Sequence, residues 1–86
     1  MLRRDGGLLL ELAEAARLQE GPEGIRKVLR AILRMGPVPI RDLARYLGIP
    51  VPVVAAVRGE LEKRGLATRD SGLALTETGV EALEDA

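Results

Sequence analysis

The chain of 86 residues carries 13 basic and 13 acidic side chains, with 47% of its residues hydrophobic and 30% charged. These are the proportions of one small globular domain, in which about 60–65% of the unfolded surface becomes buried. Cysteine and histidine are both absent, which excludes disulfides, thiol chemistry, zinc sites of the Cys/His type and imidazole acid–base catalysis. No apolar run approaches membrane-spanning length, and the first seven residues lead into no signal-peptide core, so the expected setting is the cytoplasm and no membrane partner is expected. Phe and Trp are absent, so Leu, Val, Ile and Ala must build the core. The lack of Asn and the single Gln (Gln19) fit a thermophile, although GC-rich codon usage produces the same Arg and Ala bias.

Leu8 to Gln19 reads as a helix with a broad apolar face of Leu8, Leu9, Leu12, Ala15, Ala16 and Leu18. Gly21-Pro22 ends it and opens a second helix to Met35, where Ile25, Val28, Leu29, Ile32 and Leu33 recur at three and four residues. Gly36-Pro37-Val38-Pro39 stops that helix and forces an extended link. Ile40 to Leu47 follows as a short helix, and Gly48-Ile49-Pro50 as a tight turn. Pro52 then opens a helix to Arg64, with Val54, Val57 and Leu61 on its inner side and Gly65 as its cap. Leu66–Arg69 and Leu73–Leu75 read as two short strands around Asp70-Ser71-Gly72. A last helix runs to about Glu84, capped by Thr76 or Thr78; Thr78 and Glu81 have the spacing of a capping box.

The predicted fold is therefore mainly α with a small β-hairpin: a winged helix-turn-helix with an extra N-terminal helix. The division expected is an extension over residues 1–21 and a winged-helix domain over residues 22–86. Ala44-x-x-Leu47-Gly48-Ile49, Leu61-Glu62-x-x-Gly65-Leu66 and Leu75-Thr76-x-x-Gly79 resemble the winged-helix superfamily over residues 25–83.

DNA-reading members of that superfamily place the start of the second helix of the unit in the major groove, where side-chain donors and acceptors meet base edges. Here that stretch is Pro50-Val51-Pro52-Val53-Val54-Ala55-Ala56-Val57, which has no hydrogen-bonding side chain. Val51, Val53, Ala55 and Ala56 are left for solvent or a protein partner, and sequence-specific reading by this helix is not favoured. Residues 22–77 hold 10 basic against 6 acidic groups, while the flanks are acidic. Arg41, Arg58, Lys63, Arg64 and Arg69 are the candidate phosphate contacts. Arg26, Arg30 and Arg34 form a stripe along the second helix, and Arg41 and Arg45 a further one. The favoured reading of this charge is a solvated face, because a dedicated nucleic-acid domain has a net basic balance.

Gly59, inside the presumed recognition helix, marks either a close approach by another chain or a tolerated exposed position. Tyr46, the one aromatic residue, reads as half-buried packing rather than a stacking platform. No catalytic constellation emerges: Ser71 lies beside Asp70 without a base or an oxyanion site. Gly6-Gly7 lacks the second glycine of a phosphate loop, and no cofactor or metal is expected.

Pro50-Val51-Pro52-Val53-Val54-Ala55-Ala56-Val57, with Glu60-Leu61-Glu62-Lys63-Arg64-Gly65-Leu66 and Leu73-Ala74-Leu75-Thr76, resembles the N-terminal domain of the branched-chain polyamine synthases over residues 47–80. These are aminopropyltransferases of thermophilic archaea and bacteria. The resemblance implies a winged-helix-like domain that precedes a larger catalytic domain, which transfers aminopropyl groups from decarboxylated S-adenosylmethionine to a spermidine-type amine. It implies no catalytic residue in this chain, and it explains the apolar helix start as a contact surface. The alternative is a stand-alone winged-helix DNA-binding regulator.

A homodimer is also expected. A core without Phe or Trp leaves little margin, and the face of residues 8–18 and the patch of Val51, Val53 and Ala55 are more apolar surface than a small monomer leaves in water. Leu9 and Leu12 of the N-terminal helix are the expected dimer contacts, with the two copies of that helix meeting across a twofold axis.

Overall fold

The structure, a computed structural model, describes residues 7–85. Five helices and one two-stranded sheet follow in the order α1 (Gly7–Ala16), α2 (Gly21–Met35), α3 (Ile40–Leu47), α4 (Val51–Lys63), β1 (Ala67–Thr68), β2 (Ala74–Leu75) and α5 (Glu77–Asp85). The protein is mainly α with a small antiparallel hairpin, in which Ala67 pairs with Leu75 and Thr68 with Ala74. Among the described residues, no helix is long and apolar enough to cross a membrane.

The three-and-four spacing of the branched residues builds one core. Ile25, Val28, Leu29 and Ile32 of α2 meet Leu43 of α3, Val54, Val57 and Leu61 of α4, and Leu73 beside the hairpin. Leu33, expected on this inner face, instead points outward and is 52% exposed. It lies about 100° around the helix from Ile32, beyond the width of the apolar stripe.

The N-terminal helix is shorter than its sequence suggests and serves a different purpose. It stops at Ala16, where Arg17 takes a left-handed φ of 58°. The Leu18 N–H donates to the Ala13 carbonyl at 2.9 Å and the Arg17 N–H to that of Glu14 at 3.2 Å. This is a Schellman termination made without glycine, so the sequence carried no stop signal before Gly21. Leu9 and Leu12 are 1% and 0% exposed within the single chain, and Ala13 and Ala16 join them in the same core. The expectation that Leu9 and Leu12 form a dimer contact is therefore corrected. Helix α1 packs on α2 and α4 and closes their core. Ala15, expected on the apolar face, is exposed.

The link between α2 and α3 is extended as expected and also acts as a third, one-residue strand. The Val38 N–H donates to the Leu73 carbonyl at 3.0 Å, and the Leu73 N–H returns the bond at 2.8 Å. Gly48 and Gly65, both with φ just above +70°, end α3 and α4. Thr76, not Thr78, caps α5: its hydroxyl accepts from the Gly79 N–H at 3.0 Å. Gly79 is buried against the Leu66 backbone, and a Cβ there would collide with the Leu66 carbonyl oxygen. The Thr78–Glu81 spacing thus falls one step inside the helix and caps nothing.

Candidate interaction surfaces

The short helix α3 is joined to α4 by the turn at Gly48–Pro50, and the hairpin follows α4 directly. Pro50, in extended conformation, precedes α4 with no side-chain cap, and Pro52 sits in its first turn. Val54 and Val57 face the core, at 0% and 1% exposure. Val51 and Ala56 are exposed, while Val53 and Ala55 are half-buried at the edges. The outward side of the first two turns of α4 therefore offers apolar side chains only, the Pro52 ring among them. Beside it, Arg17, Leu18, Gln19, Glu20, Ile49, Pro50 and Val53 line an open cleft of about 360 Å³.

Further along α4 the surface becomes charged, and its charges are paired. Glu62 lies 3.9 Å from the Arg58 guanidinium and 3.6 Å from that of Arg69, joining the helix to the hairpin. Glu60 is hydrogen-bonded by Arg64 and lies 3.6 Å from the Lys63 ammonium. Arg64 also approaches Glu11 of α1 at 4.0 Å. The hydrogen bond from Arg64, supported by the charge of Lys63, holds the Glu60 carboxyl below its ordinary value of 4.5. Of the five candidate phosphate contacts, Arg58, Lys63, Arg64 and Arg69 thus sit together but are engaged with carboxylates of their own chain. Arg41 stands apart from them on α3.

The opposite holds on α2 and α3. Arg30, Arg34, Arg41 and Arg45 are exposed, and none has an ion-pair partner among the described carboxylates. Tyr46 stands among them at 57% exposure, which corrects the expectation of a half-buried packing residue. Position 46 lies about 100° around α3 from Leu47, which packs against the core, so the ring stands outside the buried arc. The sequence shows both arginine stripes and places Glu60 and Glu62 near enough to offset part of the charge; that Glu62 reaches Arg69 and Glu11 reaches Arg64 is decided by the fold. Gly59 is exposed on α4, and a Cβ built there meets nothing within 4 Å, so none of the described residues requires glycine at that position.

No family model matches the chain. It is 33% identical over 79 residues to an uncharacterized protein of Methanocaldococcus jannaschii. The alignment covers 91% of this chain but only 20% of that protein, so the chain spans about a fifth of the length of the curated relative it matches.

Proposed function

We propose that this chain is a non-catalytic, cytoplasmic winged-helix domain that makes protein–protein or interdomain contacts through the start of α4. More specifically, we infer that it is the N-terminal domain of a branched-chain polyamine synthase, with aminopropyl transfer carried out by a following domain. The observation that carries this reading is the chemistry of the α4 start. Val51, Val53, Ala55 and Ala56 present methyl groups where a DNA reader needs donors and acceptors. The pairing of Arg58, Lys63, Arg64 and Arg69 with Glu60 and Glu62 supports it, because phosphate contacts there would have to displace existing ion pairs. The resemblance over residues 47–80 supplies the family, and a match covering only a fifth of a longer relative is compatible with a domain role. The expected homodimer now rests on the Val51, Val53 and Ala55 patch alone, since Leu9 and Leu12 are occupied within the protomer.

Two experiments test the reading. The reading frame beyond Ala86 should encode a transferase domain; a stop codon directly after Ala86 ends the specific assignment. Anisotropy titration with duplex DNA at physiological salt should give no tight, sequence-selective binding. Dissociation constants in the range of about 10⁻⁸–10⁻¹¹ M, typical of specific DNA readers, would establish the regulator instead.

A further inference from the structure

We propose that the α2–α3 face built from Arg30, Arg34, Arg41, Arg45 and Tyr46 binds the sugar–phosphate backbone of nucleic acid without sequence preference. Two clefts, both lined in part by α3, define the face. Arg30, Arg34 and Tyr46 line one of about 240 Å³, together with Lys27. Arg41 and Arg45 line the other, beside Val51 at the start of α4. Arg45 and Tyr46 are consecutive in α3, so that helix lines both clefts.

The charge distribution separates this face from the rest of the molecule. Among the described residues, every cation of α4 and the hairpin lies within 4.0 Å of a carboxylate. The four arginines of the α2–α3 face do not. Arg17, the remaining cation without such a partner, lies apart at the end of α1, lining a different cleft. Asp42 is the one carboxylate on the exposed arc of α3, against four guanidiniums. Lys27 reaches only Glu20, at 4.0 Å, with both side chains largely exposed.

Arginine suits this ligand. Its planar fork donates two parallel hydrogen bonds to a phosphate, and it loses less hydration than lysine on binding. The exposed Tyr46 ring between the arginine pairs adds a surface on which an unpaired base stacks. An acidic protein segment would satisfy the same charges, but stable protein contacts centre on buried apolar anchors. The exposed large apolar side chains here are Tyr46 in the cleft of Arg30 and Arg34, Val51 in that of Arg41 and Arg45, and Leu33 on α2, each at the surface beside guanidiniums and none in a buried pocket. The contact adjoins the methyl surface of α4 at Val51 and needs no base-specific donor, so it is compatible with a domain that does not read sequence.

The test is an anisotropy titration of the chain with a labelled mixed-sequence 20-mer, as duplex DNA and as single-stranded RNA, over a range of sodium chloride concentrations. Four phosphate contacts give a slope of log K against log salt of about −3.6 for the duplex and about −2.8 for the single strand. R30E/R34E should weaken binding at least tenfold and flatten the slope by about 2. K63Q/R64Q, which alters paired cations, should change it less than twofold. Y46L should weaken the single strand about fivefold or more and leave the duplex unchanged. All substituted side chains but Arg64 are exposed, and circular dichroism verifies each fold. The proposal is overturned by absence of binding at 20 mM salt, by unchanged affinity in R30E/R34E, or by a larger loss in K63Q/R64Q. A polyglutamate peptide that competes at equal charge concentration also overturns it, in favour of an acidic protein partner. An unchanged single-strand affinity in Y46L removes the ring from the site.

Discussion

The Thr76 hydroxyl donates to the Gly65 carbonyl at 2.8 Å, tying the end of α4 to the start of α5 across the hairpin. The same oxygen accepts from the Gly79 N–H, and the Thr76 N–H donates to the Leu66 carbonyl at 2.9 Å. One side chain thus satisfies a helix start and a helix end. Thr76→Ala should lower stability by about 1–2 kcal/mol, the upper part of the range for loss of a helix cap, and Thr76→Ser should retain most of it. Urea denaturation of the three proteins decides the point; equal midpoints for wild type and Thr76→Ala would remove the cap from the argument.

Two glycines predict opposite outcomes for the same substitution. Gly79→Ala forces a methyl onto the Leu66 carbonyl, a backbone atom that no rotamer change can move. The expected cost is about 3 kcal/mol or more, at the severe end of overpacking effects. Gly59→Ala meets open space on an exposed helix and should stabilise the isolated chain by roughly 1 kcal/mol. Thermal unfolding distinguishes them by sign. A destabilised Gly59→Ala variant would show that something presses on that face of α4.

Leu9 and Leu12 are core residues, and their substitution should act accordingly. Leu12→Ala should cost about 2–5 kcal/mol, the range for truncating a fully buried leucine. The Leu9→Glu, Leu12→Glu double substitution should abolish the cooperative unfolding transition seen by circular dichroism, since domain stabilities are only about 5–15 kcal/mol. A folded double variant whose sedimentation differs from a dimeric wild type would restore α1 as an assembly surface.

Glu60 predicts the acid limb of stability. Its carboxyl is held below 4.5 in the folded chain, chiefly by the Arg64 hydrogen bond. The unfolded state therefore takes up a proton first as pH falls, and the contribution of Glu60 is present above pH 4.5 and lost as pH drops through the folded value. Urea midpoints measured from pH 7 down to pH 3 should fall less steeply for Glu60→Gln than for wild type. High salt should narrow the difference, because exposed pairs are screened. Parallel acid limbs for the two proteins would show that Glu60 is not coupled to folding.

The order and placement of α2, α3, α4 and the hairpin were legible in the sequence because their signals are local. Branched residues at helical spacing marked the inner faces, and Gly48, Gly65 and the proline pairs marked the breaks. The end of α1 was not legible, since Arg17 adopts the left-handed conformation that glycine usually supplies. Nor was the choice between Thr76 and Thr78, which depends on where the Gly65 and Leu66 carbonyls lie after the hairpin has turned. The donor-free start of α4 could likewise be read directly, because it requires only residue identities.

Composition and periodicity determined what this chain is made to bury and which chemistry it lacks. Only the tertiary structure decided what its charges and its first helix are used for. An apolar stripe such as Leu9–Leu12 fits a second copy or its own core equally well until α2 and α4 are placed against it. A stripe of arginines carries the same charge whether or not Glu60, Glu62 and Glu11 reach it. Helical spacing along α4 gives Arg58, Lys63 and Arg64 their carboxylates, and packing adds Glu62 to Arg69 and Glu11 to Arg64, while Arg30, Arg34, Arg41 and Arg45 are left without one among the described residues. Partners that are distant in sequence, such as Glu11 and Arg64 or Glu62 and Arg69, meet only through the fold, and electrostatic interaction depends on that separation in space.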